Sequence, residues 1–290
     1  MLKLILAEMR PQQWIKNFFV FAALIFAKKL FYPEKVAAAI AGFIIFCLIS
    51  SSVYVINDIY DADEDNVHPV KKNRPVASGK LKLSTAVMTA IVLILISLLW
   101  SFLESPWFSL IILAYFLLNL AYSMLLKHKV VIDIIIVALC FVLRVIGGAV
   151  IIDVSTSNWL ILCTLFISLF IGFSKRRNEI IILEDDANRH RKVLEEYSPA
   201  FLDQMISVVS ALTIMSYALY TVSPETVTKF GTGNLIYTVP FVIYGIFRYF
   251  YLVYKKELGG SPTRIMYTDR PLIAAVFIWM ITCSIIIYIK

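Results

Sequence analysis

Tyr54-Val-Ile-Asn-Asp-Ile-Tyr-Asp-Ala-Asp-Glu-Asp-Asn66 decides the reading, because here an apolar helix runs directly into five acidic residues. If the helix continues, Asp58, Asp61 and Asp65 sit at i, i+3 and i+7 and share one face, while Asp63 and Glu64 point elsewhere. Like charges so placed repel unless a cation compensates. Carboxylate oxygens together with diphosphate oxygens suit six-coordinate Mg²⁺, which retains some waters. Asn57 adds a neutral oxygen or an amide donor. A solvated acidic helix end has the same spacing, so spacing alone leaves both readings open. The next residues shift the balance: in Asn66-Val-His-Pro-Val-Lys-Lys-Asn-Arg-Pro-Val-Ala-Ser-Gly79, His68–Pro69 is predicted to break the helix. Lys71, Lys72 and Arg74 can then turn back over the acidic patch, and carboxylates with metal beside Lys and Arg make a diphosphate clamp.

Outward from this stretch the chain is dominated by apolar residues, 60% of its 290 residues, with a mean hydropathy of +0.81. One water-soluble core cannot absorb that much, and a bilayer is the fitting solvent. Apolar stretches near 17–33, 36–57, 84–103, 106–126, 130–152, 157–174, 203–222, 234–254 and 271–289 predict an all-α polytopic membrane protein with about nine transmembrane helices. Buried helices of a soluble protein would need polar faces at helical period, which Leu110–Leu118 and Val130–Leu143 lack. One domain over 1–290 is expected, since the sequence has no strong repeat, low-complexity tract or long linker.

The N-terminus and the segments around 58–83, 127–129, 175–202 and 255–270 carry 20 of the 27 basic residues. Those segments are expected on the cytoplasmic side of a plasma (inner) membrane, with the N-terminus inside and the C-terminus outside. The net charge of +7 is spread along one membrane face, facing anionic lipid or phosphorylated substrates. No Arg-rich stretch with stacking aromatics suggests nucleic acid. Met1–Arg10 lacks the length and cleavage site of a removed signal peptide. Cys47, Cys140, Cys163 and Cys283 lie singly in apolar helices, and His68, His128 and His190 lack ligand spacing, so neither disulfides nor zinc are expected.

The sequence resembles the UbiA prenyltransferase superfamily, whose first aspartate-rich motif N-D-x-x-D-x-x-x-D is matched by Asn57, Asp58, Asp61 and Asp65. Within it the chain is most similar to the polyprenyl-phosphate phosphoribosyltransferases of cell-envelope biosynthesis. Arg10-Pro-Gln-Gln-Trp-Ile-Lys-Asn17 and the His-Pro-x-Lys-x-x-Arg-Pro after the aspartates carry that likeness. Further on it is carried by Tyr122-Ser-x-x-Leu-Lys127, Asp133, Leu143-Arg144 before Gly147–Gly148, Ser174-Lys-Arg176 with Glu179, and Thr268-Asp-Arg-Pro-Leu272. The second motif D-x-x-x-D of many ring-prenylating members is absent. Lys175-Arg-Arg-Asn-Glu179, followed by Glu184, Asp185, Asp186, Arg189, His190 and Arg191, makes the membrane-proximal end of that loop cationic.

The resemblance implies a Mg²⁺-dependent transferase that moves 5-phosphoribosyl from phosphoribosyl pyrophosphate to a polyprenyl phosphate, releasing diphosphate. Asp58, Asp61 and Asp65 would hold the metal. Lys71, Lys72 and Arg74 would bind diphosphate or ribose phosphate, and Lys16, Lys127, Lys175, Arg176 and Arg270 would complete a cationic wall. Asn57, Tyr122, Asp133, Arg144 and Asp269 complete the substrate-binding set. A phosphate nucleophile is already ionised near neutral pH, so no general base is required. Asp133 and Arg144, 11 residues apart, face the same way on one helix, and an arginine at that depth is either a structural ion partner or a substrate contact. Lys255-Lys-Glu-Leu-Gly-Gly-Ser-Pro-Thr-Arg264 reads as a closing flap or as an ordinary basic connector. The competing functions are prenyl transfer to an aromatic or other small acceptor, and transport. A transporter would spread its intramembrane charges along a pathway.

Overall fold

A bilayer offers no water to backbone N–H and C=O groups, so apolar runs of this length satisfy them internally. The computed structural model describes residues 1–67, 71–183, 194, 196–256, 259–260 and 262–289, and no strand occurs among them. The chain opens with α1 (Leu2–Met9), a 3-10 helix (Pro11–Phe21) and α2 (Ala22–Phe26). There follow α3 (Pro33–Tyr60), the short α4 (Ala62–Val67), α5 (Leu83–Glu104), α6 (Pro106–Met124) and α7 (Ile132–Ile151). The rest comprises α8 (Asn158–Leu183), α9 (Pro199–Val222), α10 (Pro224–Phe230), α11 (Val239–Tyr254), α12 (Pro262–Thr268) and α13 (Arg270–Tyr288). Among the described residues eight helices are long and apolar enough to cross a membrane: α3, α5, α6, α7, α8, α9, α11 with the turn before it, and α13. Leu95, Leu99, Phe102, Trp107 and Leu110 lie exposed on α5 and α6, which suits lipid and not water.

The stretch near 17–33 departs from the nine long helices expected. Its first part is the 3-10 helix, whose three residues per turn align Trp14, Asn17 and Val20 on one face. Trp14 Nε1 donates to Ser51 Oγ at 3.0 Å, and Asn17 Nδ2 donates to Ser50 Oγ at 3.3 Å. Val20 reaches the Gly42 position, and Leu24 shares a buried cluster with Ala39. The partners on α3 descend as the segment advances, so it runs antiparallel to α3. Gly148 of α7 admits this packing: a Cβ there would lie 2.0 Å from the Val20 carbonyl oxygen, so only glycine lets the two backbones touch.

The chain divides into two compact units, residues 1–125 with 143–156 and residues 126–142 with 157–290. In the first, Phe46 packs edge-on against Phe108 and Tyr115, with ring centroids 6.0 and 5.5 Å away. In the second, Ile134, Phe170, Phe173, Leu202, Ile206, Leu252, Val253 and Ile265 form a buried cluster. Local signals set the helix starts: proline stands in the first turn of α3, α6, α9, α10, α11 and α13, and Ser198, Ser223 and Asp269 cap α9, α10 and α13 through their side chains.

Candidate active site

In the first unit, α3 ends at Tyr60 and the chain turns at Asp61, yet the helical register continues. The Asp61 N–H bonds the Asn57 carbonyl at 2.9 Å and the Asp65 N–H bonds the Asp61 carbonyl at 2.8 Å. The shared face therefore survives the break: Asp58, Asp61 and Asp65 are 1%, 7% and 2% exposed, whereas Asp63 and Glu64 are exposed. Asn57 Nδ2 donates to Asp61 Oδ2 at 2.9 Å. Arg74 comes back over the patch as expected. Its Nη1 donates to Asp58 Oδ1 at 2.9 Å and also to Asp65 Oδ2. Lys72 is exposed, Lys16 is half-buried, and His68, Pro69 and the Lys71 side chain lie outside the described residues.

Two further residues join this cluster. Arg10 occupies the left-handed region (φ 52°) between α1 and the 3-10 helix, lies 5.2 Å from the Tyr54 ring centroid, and donates from Nη2 to Asp58 Oδ1. Glu8, in the last turn of α1, is 1% exposed. Its neighbours Leu4 and Ile5 pack against Val55, Val76, Leu81, Ala86 and Ala90, which fixes α1 over the end of α3. Burial, then the adjacent Asp58 charge, push the Glu8 carboxyl up to about 7, while Arg10 and Arg74 pull it down. Among the described residues, Glu8 Oε1, Glu8 Oε2 and Asp58 Oδ2 are buried acceptors without a donor. The Glu8–Asp58 contact is a hydrogen bond only when one of the two is protonated. Arg10 opens the motif that ends at Asn17, so the sequence offered a signal for it. Glu8 lies outside every motif quoted from the sequence.

Arg144, 3% exposed, is held inside the first unit. Its Nε donates to Asn17 Oδ1 at 2.7 Å and its Nη2 to the Tyr115 hydroxyl at 2.7 Å. Tyr122 is half-buried.

A second cluster belongs to the second unit. Asp133, fully buried, accepts from Arg176 Nε at 2.8 Å and from the Tyr197 hydroxyl at 2.7 Å. Arg176 is 5% exposed and also donates to Glu179, so two carboxylates occupy a guanidinium expected to face substrate. Lys175 is exposed, 3.5 Å from Glu179, and Lys127 is buried. Burial and the bond to Asp133 raise the Tyr197 phenol above its ordinary range. Gly259, in the segment read as a flap or a basic connector, packs on α8, where an added Cβ would meet Asn178 Cβ at 3.0 Å. Glu184, Asp185, Asp186, Arg189, His190 and Arg191 lie outside the described residues. Asp269 caps α13 by accepting from the Leu272 N–H at 2.9 Å and pairs with Arg248 at 2.8 Å. That hydrogen bond from Arg248 is the main cause holding its carboxyl below the usual value. Arg270, in the first turn of α13, is exposed.

The acidic cluster fits a divalent cation by its chemistry. Among the described residues no three acidic, His or Cys side chains converge on one metal-sized point, but Mg²⁺ is usually held by one or two carboxylates plus substrate phosphates and water. Hard oxygen donors are present, and among the described residues no donor reaches the buried Asp58 Oδ2.

Fold and site together define a polytopic helical protein with a buried carboxylate–guanidinium cluster where α3 ends. The chain belongs to the UbiA prenyltransferase family, whose model matches residues 17–281, and it is a multi-pass membrane protein of that family. It is 34% identical to the decaprenyl-phosphate phosphoribosyltransferase of Corynebacterium glutamicum, covering 97% of this chain and 86% of that one. Identity to the protein of the same name from Mycolicibacterium smegmatis is 32%, covering 98% and 92%. Its fold is similar to that of a UbiA homolog from Archaeoglobus fulgidus bound to GPP and Mg²⁺, with a TM-score of 0.73 at 18% identity, covering 99% of this chain and 100% of that one.

Proposed function

We propose that this protein transfers the 5-phosphoribosyl group of phosphoribosyl pyrophosphate to a polyprenyl phosphate. The observation that carries the reading is near full-length similarity to two decaprenyl-phosphate phosphoribosyltransferases. In the reaction the anomeric C–O bond to diphosphate breaks, diphosphate leaves with the electron pair, and a phosphate oxygen of the lipid forms the new bond to that carbon. Asp58, Asp61 and Asp65 would hold Mg²⁺ jointly with diphosphate oxygens, and the ion when bound would supply charge neutralisation for the diphosphate. Arg74 and Arg10, already on Asp58, are placed to donate to phosphate oxygens that enter the cluster. Lys71 and Lys72 continue that clamp, and Lys16, Tyr122, Lys127, Asp133, Arg144, Lys175, Arg176, Asp269 and Arg270 serve binding of the anionic substrates or position the groups that do. The protein lies in the plasma (inner) membrane with its N-terminus and acidic motif cytoplasmic.

Purified protein with Mg²⁺, a polyprenyl phosphate and labelled phosphoribosyl pyrophosphate is expected to move label into the lipid fraction. Asp58→Ala or Asp61→Ala should abolish that transfer while leaving membrane insertion intact. Lipid labelling only from a prenyl diphosphate with a small acceptor would replace this reading by prenyl transfer, the chemistry named for the family.

A further inference from the structure

Among the described residues, three buried carboxylate oxygens of the first unit lack a donor: both of Glu8 and Oδ2 of Asp58. A buried acceptor left bare costs about 1–3 kcal/mol, and more when charged, so something must occupy the space they face. Among the described residues, Arg10 and Arg74 both donate to the other Asp58 oxygen, Oδ1. One shared proton would join one pair of oxygens and leave the third bare. A cation, unlike a proton, can be shared by several carboxylate oxygens. Charge points the same way, because Glu8, Asp58, Asp61 and Asp65 against Arg10 and Arg74 leave two formal negative charges, the complement of one divalent ion.

We infer that Glu8 is a further carboxylate of the divalent-cation site, facing the ion together with Asp58 Oδ2. This rests on the reading that the aspartates of α3 and α4 hold a metal. Nothing in the spacing of those aspartates includes Glu8, which comes from 50 residues earlier and reaches the site because Leu4 and Ile5 anchor α1 on the same hydrophobic cluster as Val55.

Mn²⁺, read by the electron paramagnetic resonance of the free ion, tests this on the full-length protein in detergent without substrate. Wild type, Glu8→Gln, Glu8→Asp and Asp61→Asn are titrated, with thermal unfolding of each variant recorded. Glu8→Gln is expected to weaken Mn²⁺ binding about tenfold or more, Glu8→Asp to weaken it less, and Asp61→Asn to weaken it as well. Should Glu8 serve only to share a proton with Asp58, glutamine replaces that donor and Mn²⁺ binds as in wild type. That result, with Asp61→Asn still weakened, overturns the Glu8 assignment and leaves the aspartate site standing. A wild-type protein that takes up no Mn²⁺ removes both. If Glu8→Gln does not fold, Glu8→Asp decides alone, and unchanged affinity there counts against the inference.

Discussion

Val131 adopts a positive φ of 67°, a conformation a β-branched side chain avoids. Its N–H donates to the Tyr197 hydroxyl at 2.6 Å, and that hydroxyl in turn donates to Asp133 Oδ1 at 2.7 Å. One phenol thus fixes a strained turn and a buried carboxylate two residues further on. Tyr197→Phe is expected to destabilise the protein by about 1–3 kcal/mol, the cost of leaving buried polar groups without a partner. Val131→Gly in the same background should return roughly 1 kcal/mol by removing the left-handed strain. Unfolding curves of the two single variants and the double variant check this, and a glycine that adds to the loss would show that Val131 carries no strain. Such links were not legible in the sequence, because Tyr197 lies 66 residues from Val131 and an isolated tyrosine in a loop carries no signal. The outward placement of Asp63 and Glu64 was legible, since helical period alone fixes it.

At the scale of elements, apolar length located eight helices and proline or Ser/Asp caps marked their starts, because those signals are local. The 3-10 segment was not legible, since its period of three shows only in partners supplied by α3 and α7. Gly148 is where that packing is tightest. Gly148→Ala would put a methyl group 2.0 Å from a backbone oxygen, which no rotamer change relieves, so a loss of about 3 kcal/mol, the upper range for overpacking, is expected. Gly245 makes the comparison: an added Cβ meets only Leu272 Cδ1 at 4.0 Å. Gly245→Ala should be neutral or gain up to about 1 kcal/mol from helix propensity. Equal thermal stability of the two variants would mean that α7 and the 3-10 helix do not touch at Gly148.

For the molecule as a whole, the first unit bears on whether the run before α3 crosses the bilayer. Arg10 meets Asp58 at one end of α3 and Leu24 lies in a cluster with Ala39 near the other. Those two α3 levels are about 28 Å apart by helical rise, close to the hydrocarbon thickness of about 30 Å. The run from Pro11 to Phe26 therefore has the reach to cross beside α3, although it is not one long α-helix. If it crosses, Lys3 before it and Lys80 after α4 share one membrane face, with Glu34 at the start of α3 on the other. On the orientation proposed above, the first two face the cytoplasm. Single cysteines at Lys3, Lys80 and Glu34, all exposed positions, test this with a membrane-impermeant maleimide. The native cysteines give little background, as Cys47, Cys140 and Cys283 are buried and Cys163 is half-buried. Lys3→Cys and Lys80→Cys are expected to label only in inside-out vesicles, and Glu34→Cys only in right-side-out ones. Labelling of Lys3→Cys together with Glu34→Cys would mean that the 3-10 segment turns back without crossing, and α1 with Glu8 would then be on the wrong face to reach Asp58.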